Sequence, residues 1–208
     1  MRDITEALFF RKALPVSNGM NIILLVVLGA LIAATVGAVM LYNRLVALRM
    51  HTIEAWADIE VQLKRRYDLI PNLIETVKGY ASHEDKVFEE VTKARTAAMT
   101  SNTPAEHAQT ENMLAGALKT LFAVAENYPQ LRAAENFMQM QRDLTDTEDK
   151  IQAARRFYNG NVRDLNIVIE TFPSNIVAGL FMFKKMEFFD LEATPEQREP
   201  VKVDFKNN

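Results

Sequence analysis

Residues 20–42 read MNIILLVVLGALIAATVGAVMLY, and no charged side chain falls between Lys12 and Arg44. A helix needs about 20 apolar residues to cross the hydrocarbon core of a bilayer, and this run meets that length. Tyr42 closes it where an amphipathic ring meets lipid headgroups. A cleaved signal peptide and a buried core helix are the two competing readings. A signal-peptide apolar region is about 7–15 residues long, shorter than this stretch. The Val36-Gly37-Ala38 sequence lies inside unbroken apolar chain and makes a poor cleavage site. The reading adopted is a retained, single-pass anchor in the cell (inner) membrane, with the lipid bilayer as the first partner.

Within the run, Gly29, Ala33 and Gly37 recur every four residues, and Ala30, Ala34 and Ala38 do the same one step round. Small residues at that spacing let helix backbones approach closely in lipid, which points to a homo-oligomer. Gly and Ala are also common in membrane helices at large, so both readings stand. Orientation is divided as well. Arg2, Arg11 and Lys12 precede the span, while Arg44 and Arg49 follow it. The basic count alone keeps the N-terminus inside. A start at Met20 would remove the first group and leave Arg44 and Arg49 to hold the following domain in the cytoplasm. A cytoplasmic domain is adopted, with a periplasmic one as the alternative. Residues 1–19 are set apart as an N-terminal extension, untranslated or disordered.

Helical patterning continues past the span. Ile53, Trp56, Leu63, Tyr67 and Ile70 fall at steps of three, four and seven, and no Gly or Pro interrupts residues 42–70. The spacing predicts a membrane helix continuing without a joint into a first soluble helix. Pro71 is expected to break or kink it. Ser82 with Asp85 resembles a capping pair opening a helix over residues 83–100, with Val87, Phe88, Val91 and Ala94 inward. Thr103-Pro104-Ala105-Glu106 is a stronger start: a cap, a proline at the first helical position and a Glu to reach back. That helix is predicted to reach Glu126, with Met113, Leu114, Ala117, Leu121 and Phe122 as core. A last helix over residues 129–171 carries Phe137, Leu144, Ile151, Tyr158, Leu165 and Phe172 at a strict seven-residue step. Met140, Thr147, Ala154, Asn161 and Val168 fill a second, coiled-coil-like seam. Four helical segments with short connections and no strand-like alternation imply an all-α fold. It is an N-terminal transmembrane helix continuing into an antiparallel up-down four-helix bundle over residues 43–192. The tail over residues 193–208, with two prolines and mixed charge, reads as extended or disordered.

No catalytic, metal or cofactor site can be assembled. With no cysteine, disulfides, thiolate metal sites and cysteine nucleophiles are excluded. His51, His83 and His107 lie on different segments without metal-ligand spacing, and no GxSxG elbow or phosphate-binding glycine loop is present. A net charge of −3 argues against a nucleic-acid partner. Two polar or apolar groupings remain. Arg65, Arg66, Asp68 and Asn72, with Arg155, Arg156, Asn159, Arg163, Asp164 and Asn166, would meet across an antiparallel pair. They are either structural hydrogen-bonding residues near the bend or an anion or partner face built on arginine forks. The segment over residues 175–189 crowds Ile176, Leu180, Phe181, Phe183, Met186, Phe188 and Phe189 around Lys184 and Lys185. It either folds back over the open end of the bundle or lies in a membrane interface, aromatics down and lysines towards headgroups.

Three segments together resemble the LemA family: EAWADIEVQLKRRYDLIPNLIETVKGYASHE (residues 54–84), ARRFYNGNVRDLN (154–166) and FPSNIVAGLFMFKKMEFF (172–189). The resemblance covers most of the chain from Tyr42 to about Phe205 and leaves the residues before Met20 outside the usual pattern. Gly160, Asn161 and Leu165 depart from it. The resemblance implies a four-helix bundle behind a membrane helix, a short N-terminus outside the cell membrane, and no established biochemical activity. It also implies relatives tied to membrane organisation, such as magnetosome proteins, and relatives linked with a membrane metalloprotease. The expected function is therefore a membrane-anchored scaffold that self-assembles and organises membrane or protein partners. An accessory or sensor subunit of a membrane protease or signalling system is the alternative.

Overall fold

The computed structural model describes residues 18–189, so the two end segments set apart above lie largely outside the described residues. The first element, α1, runs Asn18–Lys78 as one helix of 61 residues, about 90 Å at 1.5 Å per residue. Its side chains are exposed from Met20 through Val36, whereas the core helix of a soluble domain would be covered. From Leu45 onward the helix becomes one-sided. Leu45, Thr52, Ala55, Ile59, Leu63, Tyr67 and Ile70 are buried at steps of three, four and seven, and Leu73 and Val77 carry the stripe on. Trp56 is part of this face, but Ile53 is not: it stands 44% exposed.

Pro71 does not end the helix, contrary to the expected break. Its missing N–H leaves the carbonyl of Tyr67, four residues back, without a helical donor. Arg95 supplies one from outside: its Nε donates to the Tyr67 carbonyl at 2.7 Å. The buried stripe through Leu73 and Val77 supports continuation, since burying each such side chain contributes about 1.5–3 kcal/mol. Gly79 follows the helix end, and residues 79–84 form turns.

The helix α2 (Asp85–Met99) buries Phe88, Val91, Ala94 and Ala98. It starts two residues later than predicted. Its N-cap is Glu84, with no side-chain cap bond, so Ser82 and Asp85 form no capping pair. The helix α3 (Pro104–Ala125) has the predicted start: Thr103 accepts from the Glu106 N–H while the Glu106 carboxylate accepts from the Thr103 N–H. Its core face is Leu114, Leu118 and Leu121, with Glu111 on the same stripe, while Met113 points out. The predicted last helix is two. A single turn, α4 (Pro129–Arg132), buries Leu131 and is followed by α5 (Glu135–Glu170), 36 residues long. Along α5 the seven-residue step is buried from Phe137 through Leu165. Phe172 falls beyond the helix cap at Thr171 and is 75% exposed. The second seam departs at one position, Asn161, and resumes at the buried Val168. Val162 is fully buried, and Asn161 turns its amide to the Phe157 carbonyl of its own helix. Gly160 lies within the helix with open space around it. A short helix, α6 (Ser174–Leu180), follows the cis Phe172–Pro173 bond.

The α1–α5 contact organises the rest. Leu45 shares a buried cluster with Leu165 and Val168. Further along, the Trp56 ring meets Tyr158 at 5.2 Å, Arg66 reaches Glu148 at 2.6 Å, and Thr76 approaches the sulfur of Met140. Partners descend α5 as they ascend α1. The helices α2 and α3 pair with each other and share the main core with α1 and α5. Among the described residues there is no strand.

Arg95→Ala should reduce unfolding stability by about 1.5–3 kcal/mol, the usual range for a hydrogen bond to a charged group. In a Pro71→Ala background, residue 71 regains an N–H for the Tyr67 carbonyl. The loss should then shrink by about 1 kcal/mol or more. Denaturant titration of the four proteins, followed by helical circular dichroism, measures the coupling. An equal loss in both backgrounds would mean that Arg95 acts elsewhere.

Candidate functional site at the end of the apolar run

Two polar constructions flank the α1–α5 seam. The inner one is buried. Arg66, 4% exposed, is ion-paired with Glu111 of α3 and with Glu148 of α5, and the Tyr67 hydroxyl donates to Glu111. Burial pushes the Tyr67 phenol up to about 12 from its ordinary 10.0, with the Arg66 charge acting in the opposite sense. Each residue is tied to another of the group, while the buried Arg66 Nε–H has no hydrogen-bond partner. This construction crosslinks three helices. Nearby, the buried His107 imidazole meets Trp56 edge-on at 5.5 Å, and burial holds its pKa below 6.5 against the pull of Glu60 and Glu106.

The arginines grouped from sequence are spread along the seam. Arg65 pairs with Asp146 at 3.6 Å on the surface, and Asp146 also takes Lys150 at 2.8 Å. Arg155 lies 4.8 Å above the Phe189 ring. Arg156 is exposed, and Arg163 contacts its neighbour Asp164 at 3.3 Å. Glu148, where Arg66 docks, and Arg163 are about 22 Å apart along α5. Arg65 and Arg66 therefore meet carboxylates at one level, and Arg155, Arg156 and Arg163 stand at others.

The outer construction lies where the apolar run of α1 ends. Val177 and Ala178 of α6 are buried with Leu45, Leu165 and Val168, and the Ser174 hydroxyl donates to the Val168 and Thr171 carbonyls at 2.6 and 2.8 Å. The helix closes by a reversal in which the Phe183 N–H reaches the Ala178 carbonyl and the Met182 N–H reaches that of Gly179. Met182 takes a φ of 56°, the left-handed position usually given to glycine, at a cost of about 1 kcal/mol for an L side chain. The chain then runs extended over residues 183–189 beside α5.

That extended segment is held by side-chain amides. Asn166 donates to the Met186 carbonyl at 2.9 Å and accepts from the Met186 N–H at 3.0 Å. Asn159, seven residues earlier, repeats the pair on Phe189 at 3.0 and 2.9 Å. An amide matches one backbone donor and one acceptor, so the two asparagines replace a neighbouring strand. Tyr158 adds a hydroxyl bond to the Glu187 carbonyl at 2.8 Å. Phe189 is buried against Trp56 and beneath Arg155. Sequence reasoning placed Asn159 and Asn166 with the arginines. Their seven-residue spacing along the buried stripe was the available signal for a clasp.

The aromatic–basic segment is thus divided. Phe183 and Phe189 turn inward, whereas Phe181 and Phe188 stay about half exposed. Tyr42 meets Phe181 at 4.6 Å and Phe183 at 5.8 Å. Lys184 is exposed, and Lys185 is ion-paired with Glu170. A groove of about 830 Å³ runs between this segment and α1, with Arg49, Lys184 and Lys185 among its walls. In the span itself, a methyl group added at Gly29 or Gly37 would meet nothing within 4 Å. Among the described residues no three His, Cys, Asp or Glu side chains are placed to share a metal ion.

Replacing both Asn159 and Asn166 by Ala should free residues 183–189. Trypsin cleavage after Lys184 and Lys185 should then accelerate by about tenfold, one factor of ten per 1.4 kcal/mol of lost local stability. Rates unchanged from the parent would show that the amides do not hold the segment. At high pH, the Tyr158 phenol, pushed up to about 12 chiefly by burial, makes folding favour the protonated form. Stability is whole below pH 10.0 and should fall as pH rises from 10.0 towards about 12. Tyr67→Phe and Tyr158→Phe should each flatten that fall in alkaline unfolding titrations.

Residues 55–205 match the model of the LemA family. The chain is 27% identical over 176 residues to magnetosome protein MamQ 2 of Paramagnetospirillum magneticum, covering 72% of this chain and 65% of that protein. It is 24% identical over 186 residues to magnetosome protein MamQ of Magnetospirillum gryphiswaldense, covering 77% and 68% respectively. It is 28% identical over 124 residues to protein LemA of Metamycoplasma hominis, covering 58% and 55%. The chain thus spans a little under two thirds of the length of the first of these relatives.

Proposed function

The chain belongs to the LemA family, and on that footing we propose that it is a single-pass, membrane-anchored scaffold that self-assembles and organises a membrane region or protein partners. Its soluble part is an antiparallel up-down four-helix bundle in this reading, and no catalytic step is involved. The observation that carries the proposal is the continuity of α1. One 61-residue helix contains the apolar span and the main core stripe of the soluble part. Any assembly of the spans in lipid is then transmitted to the bundles without a hinge. The similarity to proteins named for the magnetosome agrees with a role at a membrane.

Open space around Gly29 and Gly37, with Ala33 between them, supports assembly through that face of the span. We place the soluble part in the cytoplasm. Arg44 and Arg49 stand just past the span, and the chain's return adds Lys184 and Lys185 to the same edge, beside Tyr42.

Because a methyl group added at Gly37 meets nothing within 4 Å in the monomer, Gly37→Leu should leave the helix and bundle intact and weaken only contacts between copies. Light scattering in mild detergent should give an oligomer for the parent and a smaller particle for the variant. A strictly monomeric parent would remove the self-assembly reading. A reporter fused after residue 208 reads the side: periplasmic activity would reverse the orientation.

A further inference from the structure

The exposed side of α6 is apolar. Ile176 is 62% exposed, Leu180 74%, Phe181 54% and Met182 83%, and the preceding Phe172 is 75% exposed. The opposite side, Ser174, Val177 and Ala178, is buried against the α1–α5 seam. A soluble domain seldom leaves so many large apolar side chains together in water. Their position says what covers them. The Phe181 ring lies 4.6 Å from Tyr42, the residue that closes the apolar run of α1, so this surface is continuous with the span. Residues 20–40 already supply about 30 Å of helix, which matches the hydrocarbon core and puts Tyr42 and Phe181 at its boundary.

Two further observations point the same way. The left-handed position at the end of α6 is occupied by Met182 where glycine would be less strained, and that methionine is the most exposed of the group. A large apolar side chain kept at such a position at some cost suits insertion into lipid. Arg49, Lys184 and Lys185 line the adjoining groove of about 830 Å³, at the height where headgroups lie. Lys185 shares its charge with Glu170, which leaves Arg49 and Lys184 as the stronger anion contacts.

We infer that residues 172–182 form a second membrane contact beside the span, inserting Ile176, Leu180, Phe181 and Met182 into the interfacial layer while Arg49 and Lys184 hold the headgroup of an anionic phospholipid. The inference rests on the anchor reading but not on self-assembly. A short amphipathic element pinned to a packed domain gains affinity from buried apolar area and from attraction to anionic lipid. Its tether to the span removes the need to bind the bilayer unaided.

The absence of cysteine allows single labels in the full-length protein. An environment-sensitive fluorophore is placed at Met182→Cys, at Leu31→Cys within the span, and at Met138→Cys near the far end of α5. The proteins are reconstituted in nanodiscs at one copy per disc, with spin-labelled phosphatidylcholine or phosphatidylglycerol as quenchers. Labels at 31 and 182 should be quenched by lipid and protected from iodide, and the label at 138 should show the reverse. Phosphatidylglycerol should quench at 182 more strongly than phosphatidylcholine. Arg49→Gln or Lys184→Gln should each reduce that preference by up to about fivefold. Lipid quenching at 31 with iodide quenching at 182 would overturn the second contact alone. Protection of 182 from both quenchers would assign the surface to protein and overturn it equally. Equal quenching by the two lipids would remove the anionic headgroup, and loss of lipid quenching at both positions would overturn the anchor together with the contact.

Discussion

The seam between α1 and α5 is the constraint on which the other parts depend. A helix leaving a bilayer changes solvent along its own length. It is apolar all round where lipid is the partner, and must become one-sided where water begins. In α1 the pattern changes from exposed all round to one-sided between Met40 and Leu45, where the first fully buried side chain appears, as the proposed anchor requires. From there the stripe is matched by the seven-residue stripe of α5, Phe137 through Leu165. The helices α2 and α3 complete the core around that pair, and α6 and the extended segment close the end next to the apolar run.

Backbone satisfaction explains features that hydrophobic patterning leaves open. Pro71 inside α1 would orphan a carbonyl, and Arg95 of another helix supplies the missing donor. The extended residues 183–189 have no neighbouring strand, and Asn159 and Asn166 supply amide pairs to the main chain of Phe189 and Met186. In both cases a polar side chain on one helix meets an unfilled main-chain requirement on another element. The buried Arg66 network has a related logic. Its charges are tied to groups on α3 and α5, so it links three helices, and a buried ion pair of this kind adds little net stability.

Among the local signals the stronger holds and the weaker, the Ser82–Asp85 pair, does not. Thr103, Pro104 and Glu106 specify a helix start within four residues, and that start is present. The alternation of large residues from Phe137 to Leu165 needs only its period to be seen. Features set by distant partners were not legible. The proline rule expects a break at Pro71 because it cannot see Arg95 on another helix. Phe172 kept the seven-residue period but lay past the end of the helix, so its period had no helical meaning. Glu111 sits on the stripe of Leu114 and Leu118, and a lone acid there was a sign of a buried partner. The arginine grouping failed to converge because residue type alone does not say which turns of two long helices face each other. The candidate site was half legible: its residues stood out by composition, but which aromatics turn inward depends on the asparagine clasp.

Uninterrupted α1 has a mechanical consequence. Transmembrane helices tilt by about 20° on average, and the angle responds to the thickness of the surrounding bilayer. The 30 residues from Met40 to Ile70 form an arm of about 45 Å, so a change in tilt of about 20° sweeps its far end sideways by about 15 Å. With the anchor proposed above, the helix is a lever whose short arm would lie in lipid, and a change in bilayer thickness would become a lateral displacement of its far end.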